Sequence, residues 1–253
     1  MQPPRFHVPK TRHARRTATI SACAAARFAE LLERRLCGES VAYLLGEREF
    51  WGRSFRVDAR VLVPRPETEH LIEAALALPL PPQPHFLDLG TGSGCIATTL
   101  ACELTAARGV ALDLSPAALA VAAGNLHRHG VTSRVRLLAS DFGRGLGLSR
   151  FDLVVSNPPY LALADASAIS TEVRDQEPHL ALFSGERGLD TIERLLFEVG
   201  PALAPAAWLA FEIGAGQLDP VLEMAERSRL EPAHWIADLA GIPRVVILRR
   251  RAT

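Results

Sequence analysis

Lysine is almost missing from this 253-residue chain. Lys10 stands alone, and every other basic residue is arginine. With abundant alanine beside it, that is the mark of coding bias and carries no chemistry. Net charge is missing too: 28 basic residues face 28 acidic ones. The balance excludes a chain-wide polyanion-binding surface and leaves room only for a local patch. No apolar run is long enough to span a bilayer. The four cysteines, Cys23, Cys37, Cys95 and Cys102, form no CxxC pair and have no clustered histidine at metal spacing. A reduced, cytoplasmic setting therefore fits better than a disulfide scaffold or a zinc site, and no metal is expected. No histidine sits with a paired carboxylate and a serine or cysteine in a hydrolase-like pattern.

What is present is the composition of a folded protein, 48% hydrophobic and 22% charged. Residues 1–16 are polar and basic, and no acid precedes Glu30. They read as a solvated tail, with a nucleic-acid arm or a cleaved transit peptide as the functional readings. Residues 19–36 carry Ala24, Phe28, Leu31, Leu32 and Leu36 at helical spacing, which predicts a helix, and 40–45 a second. Strands are expected at 49–57 and 61–63, and a helix at 67–78. From residue 85 the pattern becomes alternating strands (85–90, 109–114, 135–140, 151–156, 208–214) and helices (94–107, 116–129, 189–203, 217–229). Two last strands are expected at 234–241 and 244–250. Repeated βα units predict an α/β fold: a doubly wound, mostly parallel sheet with C-terminal antiparallel strands. The divisions expected are 1–46 (basic tail and short helical segment), 47–66 (β-hairpin linker) and 67–253 (the α/β domain). Residues 161–188 read as irregular.

The first strand of the α/β domain runs into Asp88-Leu-Gly90-Thr91-Gly92-Ser-Gly94. Glycines at a strand-to-helix turn let a ligand approach the backbone. A dinucleotide fingerprint needs GxGxxG, but position 95 is Cys95 and the spacing is GxGxG. An adenosine ligand without a diphosphate fits better. Asp113-Leu114 closes the next strand, where an acid can hold a ribose diol. Asp141-Phe142 follows the third. Together these residues resemble the cofactor half of the class I methyltransferases. The resemblance implies S-adenosylmethionine, with Asp88 beside its methionine end, Gly90, Thr91, Gly92 and Gly94 facing it, Asp113 and Leu114 at its ribose, and Asp141 and Phe142 at its adenine.

The fourth strand ends in Asn157-Pro158-Pro159-Tyr160. Two prolines fix the backbone and remove both N–H groups, so carbonyls dominate. Asn157 adds a side-chain acceptor. The set suits an –NH2 group, and Tyr160 can stack on a planar amide or base. Accepting both N–H protons turns a delocalised nitrogen into a better nucleophile, so transfer needs mainly positioning and electrostatics. Asn157, Pro158, Pro159 and Tyr160 are the expected catalytic residues, with Asn157 also at the cofactor.

NPPY alone leaves adenine in nucleic acid and glutamine in protein both open. More of the chain resembles the HemK/PrmC family of protein-(glutamine-N5) methyltransferases: Arg34-Arg35, Gly38-Glu39, Ala42-Tyr43-Leu44, Gly46, Glu49-Phe50, and Val61 to Glu69, then Glu172-Val173, Glu177-Pro178, Gly188-Leu189-Asp190, Glu212-Ile213-Gly214 and Asp238 to Gly241. The likeness covers about residues 34–250. It implies methylation of a glutamine in the GGQ loop of peptide-chain release factors. That makes a release factor the protein partner, with no membrane and no direct nucleic-acid substrate, for an enzyme expected as a monomer. A sister family acts on a ribosomal-protein glutamine and lacks the full Arg65-Pro66-Glu67-Thr68 stretch, which the resemblance puts near the substrate. The family carries a larger helical domain before the hairpin; here two helices are expected. The rivals are an adenine amino-methyltransferase, which would need a basic groove and stacking platforms, and a catalytically silent relative that only binds.

Overall fold

The computed structural model describes residues 20–142, 150–228 and 230–251. The basic stretch at 1–16 lies outside the described residues.

Helix α1 (Ala22–Leu36) starts at Ser21, whose side chain accepts the Ala24 N–H. Its apolar residues do not face a core. Phe28, Leu32 and Leu36 are exposed and α1 buries none of its residues, so the amphipathic spacing gave the helix but not its partner. Helix α2 (Val41–Leu45) follows and ends on Gly46 in the left-handed conformation.

The hairpin lies earlier than its sequence pattern suggested. Strands β1 (Glu47–Phe50) and β2 (Arg53–Arg56) pair antiparallel. The expected strand at 49–57 is folded in two, and 61–63 is not a strand. The reason is the turn: Trp51 and Gly52 both take positive φ, 52° and 67°, the geometry of the tight two-residue hairpin turn that follows strand twist. Phe50 and Phe55 are fully buried in one apolar cluster with Leu71, Ile72 and Phe86. Asn125 fastens the hairpin further: its side chain accepts the Arg56 N–H (2.8 Å) and donates to the carbonyls of Arg56 (3.0 Å) and Ser93 (2.8 Å).

A short 3-10 turn (Pro66–Thr68) leads into α3 (Glu69–Ala77). Then come β3 (His85–Leu89), α4 (Cys95–Glu103), β4 (Arg108–Asp113), α5 (Pro116–Arg128), β5 (Val135–Ala139) and β6 (Phe151–Ser156). The chain continues through α6 (Thr171–Gln176), α7 (Asp190–Val199), β7 (Leu203–Glu212), α8 (Leu218–Arg227), β8 (Leu230–Ala237) and β9 (Pro243–Arg250). Ser115 caps α5 and Pro116 occupies its first turn. Strand β7 starts five residues before the expected 208, and a register shift opposite Phe151/Leu153 with Ala206 at φ 63° hides that start. Strand β8 likewise starts at Leu230 rather than 234.

Seven strands form one sheet in the order β5-β4-β3-β6-β7-β9-β8. Pairings from β5 to β7 are parallel, and β9 is antiparallel to both neighbours. Apolar side chains of β3 alternate between two cores. Leu87 and Leu89 pack with Leu195, Leu196, Val221 and Ala225 of α7 and α8. Phe86 packs with α3 and α4. Chain direction turns outward on both sides of β3, so β3 and its neighbours β4 and β6 frame the switch point where an open α/β sheet binds ligands.

Candidate active site

At the carboxyl end of β3 the chain is pulled sideways. The N–H groups of Gly90 and Thr91 both donate to the Leu112 carbonyl at 2.9 Å. Gly90, Gly92 and Gly94 all have positive φ. Their roles differ. Gly94 starts α4, and a Cβ there would stand 3.1 Å from the Ala122 side chain, so its smallness serves helix packing. Gly90 and Gly92 border a cavity of about 240 Å³.

That cavity is polar on one wall and apolar on the next. Asp113 presents its carboxylate, with Oδ2 accepting the Gly92 N–H (2.8 Å) and Oδ1 accepting the Ser115 N–H (2.9 Å). Each oxygen keeps a lone pair for a hydroxyl. Leu114, Ala118 and Phe142 supply a flat apolar slot beyond it. Asp141 also borders the cavity and is paired with Arg194 of α7 at 2.8 Å. Arg194 in turn lies 4.8 Å over the Phe142 ring.

Asp88 lies under this floor, fully buried. Its Oδ2 accepts the Thr91 hydroxyl (2.6 Å) and the Ala97 N–H (3.1 Å), while Oδ1 has no partner among the described residues. Burial pushes the carboxyl up to about 7, against the pull of those two hydrogen bonds. Thr91 is buried with it.

A second, smaller cavity of about 90 Å³ adjoins the first, and Asn157 borders both. Its walls are Leu62, Leu161, Val173, Ala181 and Leu182, with Arg65, Pro158 and Tyr160. Pro159 faces the larger cavity. Burial pushes the Tyr160 phenol up to about 12, so it stays protonated. The Asn157 amide donates from Nδ2 to the Thr68 hydroxyl at 3.0 Å. Of Arg65-Pro66-Glu67-Thr68, Arg65 alone borders either of these two cavities. Thr68 is buried behind Asn157, and Pro66 and Glu67 are exposed.

Glu177 is not the solvated loop acid that its irregular segment allowed. It is buried, and it accepts from Arg65 (2.7 Å) and from the Val63 N–H (3.4 Å). Burial raises its pKa, against the pull of Arg65. This contact ties the segment 61–65 to the lid formed by Pro178, Leu180, Ala181 and Phe183, which borders the larger cavity.

Residues 68–180 match the family model of the methyltransferase small domain. The release factor glutamine methyltransferase of Koribacter versatilis is 45% identical over 228 residues, covering 89% of this chain and 80% of that protein. The protein of the same name from Cereibacter sphaeroides is 48% identical over 226 residues, with the same shares. A crystal structure of a methyltransferase from Pyrococcus furiosus superposes with a TM-score of 0.60 at 16% identity, over 90% of this chain and 99% of that one, and so shares the fold. The chain belongs to the release factor glutamine methyltransferase family. It is a methyltransferase with S-adenosylmethionine as its methyl donor.

The residues present fit that cofactor. Gly90 has nothing within 4 Å of where a Cβ would sit, so a side chain there would fill the cradle. The spare lone pairs of Asp113 suit a ribose diol, and the slot of Leu114 and Phe142 suits adenine. The orphaned, buried Asp88 Oδ1 below the glycine turn suits an ammonium group.

The two cavities are also bordered or braced by residues that carried no sequence signal of a site. Arg194 looks like one half of a solvated i,i+4 pair with Glu198, which it also makes at 2.7 Å. Gln217 opens α8, and its Nε2 donates to the carbonyls of Tyr160 (2.9 Å) and Gly188 (3.1 Å). A Cβ on Gly188 would stand 2.2 Å from the Tyr160 carbonyl oxygen, so only glycine lets this loop close on NPPY. Trp235 is exposed, and Trp208 lies under Arg249. Among the described residues no helix is long and apolar enough to cross a membrane.

Proposed function

We propose that this methyltransferase modifies the side-chain amide nitrogen of a glutamine in the GGQ loop of a peptide-chain release factor. The observation that carries the reading is the position of Asn157 in the wall between the two cavities, with Nδ2 engaged by Thr68 and Oδ1 left to accept. A glutamine side chain entering the smaller cavity passes between Leu62, Leu161 and Leu182, which exclude water. Its amide meets Asn157 Oδ1 and the Pro158 carbonyl, one for each N–H. Both prolines lack an N–H that could compete for those acceptors. The Tyr160 ring packs on the amide plane. Two accepted hydrogen bonds raise electron density on the nitrogen and aim its lone pair at the larger cavity. There the glycine turn, Asp113, Leu114, Asp141 and Phe142 would hold S-adenosylmethionine, with Asp88 below its methionine end. The cofactor supplies a methyl group made electrophilic by a sulfonium. The names of the relatives support the choice of partner. In this reading the enzyme works as a cytoplasmic monomer on a protein, not on nucleic acid. Residues 47–66 form the linker and residues 67–253 the catalytic domain.

The test is incubation with labelled S-adenosylmethionine and three acceptors: a release factor, the same factor with its GGQ glutamine changed to alanine, and adenine-containing DNA. Label on the intact factor alone is the expected result. Label on DNA, or equal label on both factors, overturns the reading.

A further inference from the structure

An asparagine side chain is nearly symmetric in shape, and a flip about its terminal bond exchanges acceptor for donor. At Asn157 that exchange decides whether the smaller cavity offers an acceptor to an incoming amide or repels it with an N–H. The Thr68 hydroxyl cannot decide alone, because it donates as readily as it accepts. The group behind it can. Glu212, the last residue of β7, is buried, and the Thr68 hydroxyl is hydrogen-bonded to its carboxyl. Its Oε1 has no partner among the described residues.

We infer that Glu212 and Thr68 are positioning residues that set the direction of the Asn157 amide. This rests on the amide-accepting role proposed above. An ionised carboxylate has no proton to give, so the Thr68 hydrogen points at Glu212. The Thr68 lone pair then faces Asn157, which must present Nδ2. Oδ1 is thereby turned to the cavity. A protonated Glu212 can donate to Thr68 instead, which frees the Thr68 proton for a flipped Asn157. The relay is directional only while its end is an obligate acceptor.

The charged and titratable groups acting on Glu212 come from several elements. Glu67 on the 3-10 turn raises its pKa, and Arg244 of β9 lowers it. Tyr160 of the NPPY turn and Cys95 of α4 also feel its charge. Burial outweighs the Thr68 hydrogen bond and pushes the carboxyl up to about 7.

Two measurements test the relay. In the methylation assay, Glu212→Gln, nearly isosteric but able to donate, is expected to lower kcat by about 10- to 100-fold, with KM for the acceptor changed less than about threefold. Thr68→Val, which keeps the shape and removes the hydroxyl, should fall as far. Thr68→Ser should recover most of the loss, which a purely structural role for the Thr68 side chain would not explain. Independently of any acceptor, the Asn157 side-chain amide resonances of the full chain should titrate near pH 7 in the unmodified protein and not in Glu212→Gln. If Glu212→Gln and Thr68→Val both keep kcat within about threefold of the parent, the relay is wrong while glutamine methylation stands. If no acceptor is labelled by the parent enzyme, the amide resonances decide the relay alone, and a flat titration overturns it.

Discussion

In the proposed reaction Asn157 does with one side chain what the rest of the site only prepares. It is the sole NPPY residue bordering both cavities, and the prolines after it supply carbonyls without competing donors. Asn157→Ala should therefore lower kcat by about 10²- to 10³-fold, the usual loss when one preorganised hydrogen-bonding group aimed at a developing charge is removed. Cofactor affinity, measured by calorimetry, should change far less, since Asp113 and the glycine turn stay in place. An equal loss in kcat and in cofactor binding would mean that Asn157 serves the larger cavity rather than the acceptor. These residues are legible in the sequence because each sits on the loop directly after a strand, where βα order alone predicts a shared edge. Glu212, Gln217 and Arg194 are not. Each acts alone from a strand end or a helix, and only tertiary packing brings Thr68 to Asn157 across 89 positions of sequence.

At the level of elements, the segment from Val61 to Thr68 belongs to the site although no strand forms there. Its anchor is the pair of Arg65 and Glu177, 112 residues apart and 2.7 Å in space. The Glu177 side chain is 2% exposed and that of Arg65 is 32%, so the burial cost falls on the acid. Arg65→Met would leave a buried carboxyl with the Val63 N–H as its remaining partner. A loss of about 2 kcal/mol in unfolding free energy is expected, below the roughly 3–5 kcal/mol for breaking a fully buried pair because one partner is partly hydrated. The lid over the larger cavity should loosen as well and raise KM for the protein acceptor. Glu177→Gln should cost less stability than Arg65→Met, because the charge it leaves unpaired, on Arg65, is partly hydrated rather than buried. Urea unfolding of the two variants checks the order, and the reverse order would place the strain on the arginine. Sequence pattern missed this pair because the acid lies in an irregular stretch with no period of its own. It placed the hairpin late for a related reason: Trp51 is bulky, and its left-handed turn is not a conformation such a residue advertises. Helix α1 shows the converse. Its spacing is that of a helix with an apolar face, but Phe28 and Leu36 remain 66% and 79% exposed, since periodicity names a face and not what covers it.

For the molecule as a whole, two carboxyls that the fold buries at the site set a pH trend. Burial pushes both Asp88 and Glu212 up to about 7, from ordinary values of 3.8 and 4.5. A raised acid is bound to its proton more tightly in the folded chain than in the unfolded one. Its contribution to stability is therefore full below about pH 4 and is lost as pH climbs through about 7. Glu177, also raised by burial, adds in the same direction. The lowered carboxyls, such as Asp58 beside Arg60 and Asp238 beside Arg244, act oppositely, but their window lies below their ordinary values and closes before pH 5. Between pH 5.5 and 8 the buried group should dominate. The urea midpoint of the cofactor-free protein is expected to fall across that range. Glu212→Gln should flatten part of the slope, and Asp88→Asn another part. A midpoint that rises from pH 5.5 to 8 would show that the site floor is more hydrated than its burial implies. A fall that survives both substitutions would trace the slope to other groups. The acids whose burial costs stability at neutral pH lie at the proposed site, Asp88 beneath the glycine turn with its buried Oδ1 unpartnered among the described residues, and Glu212 at the end of the hydrogen-bonded chain through Thr68 to Asn157.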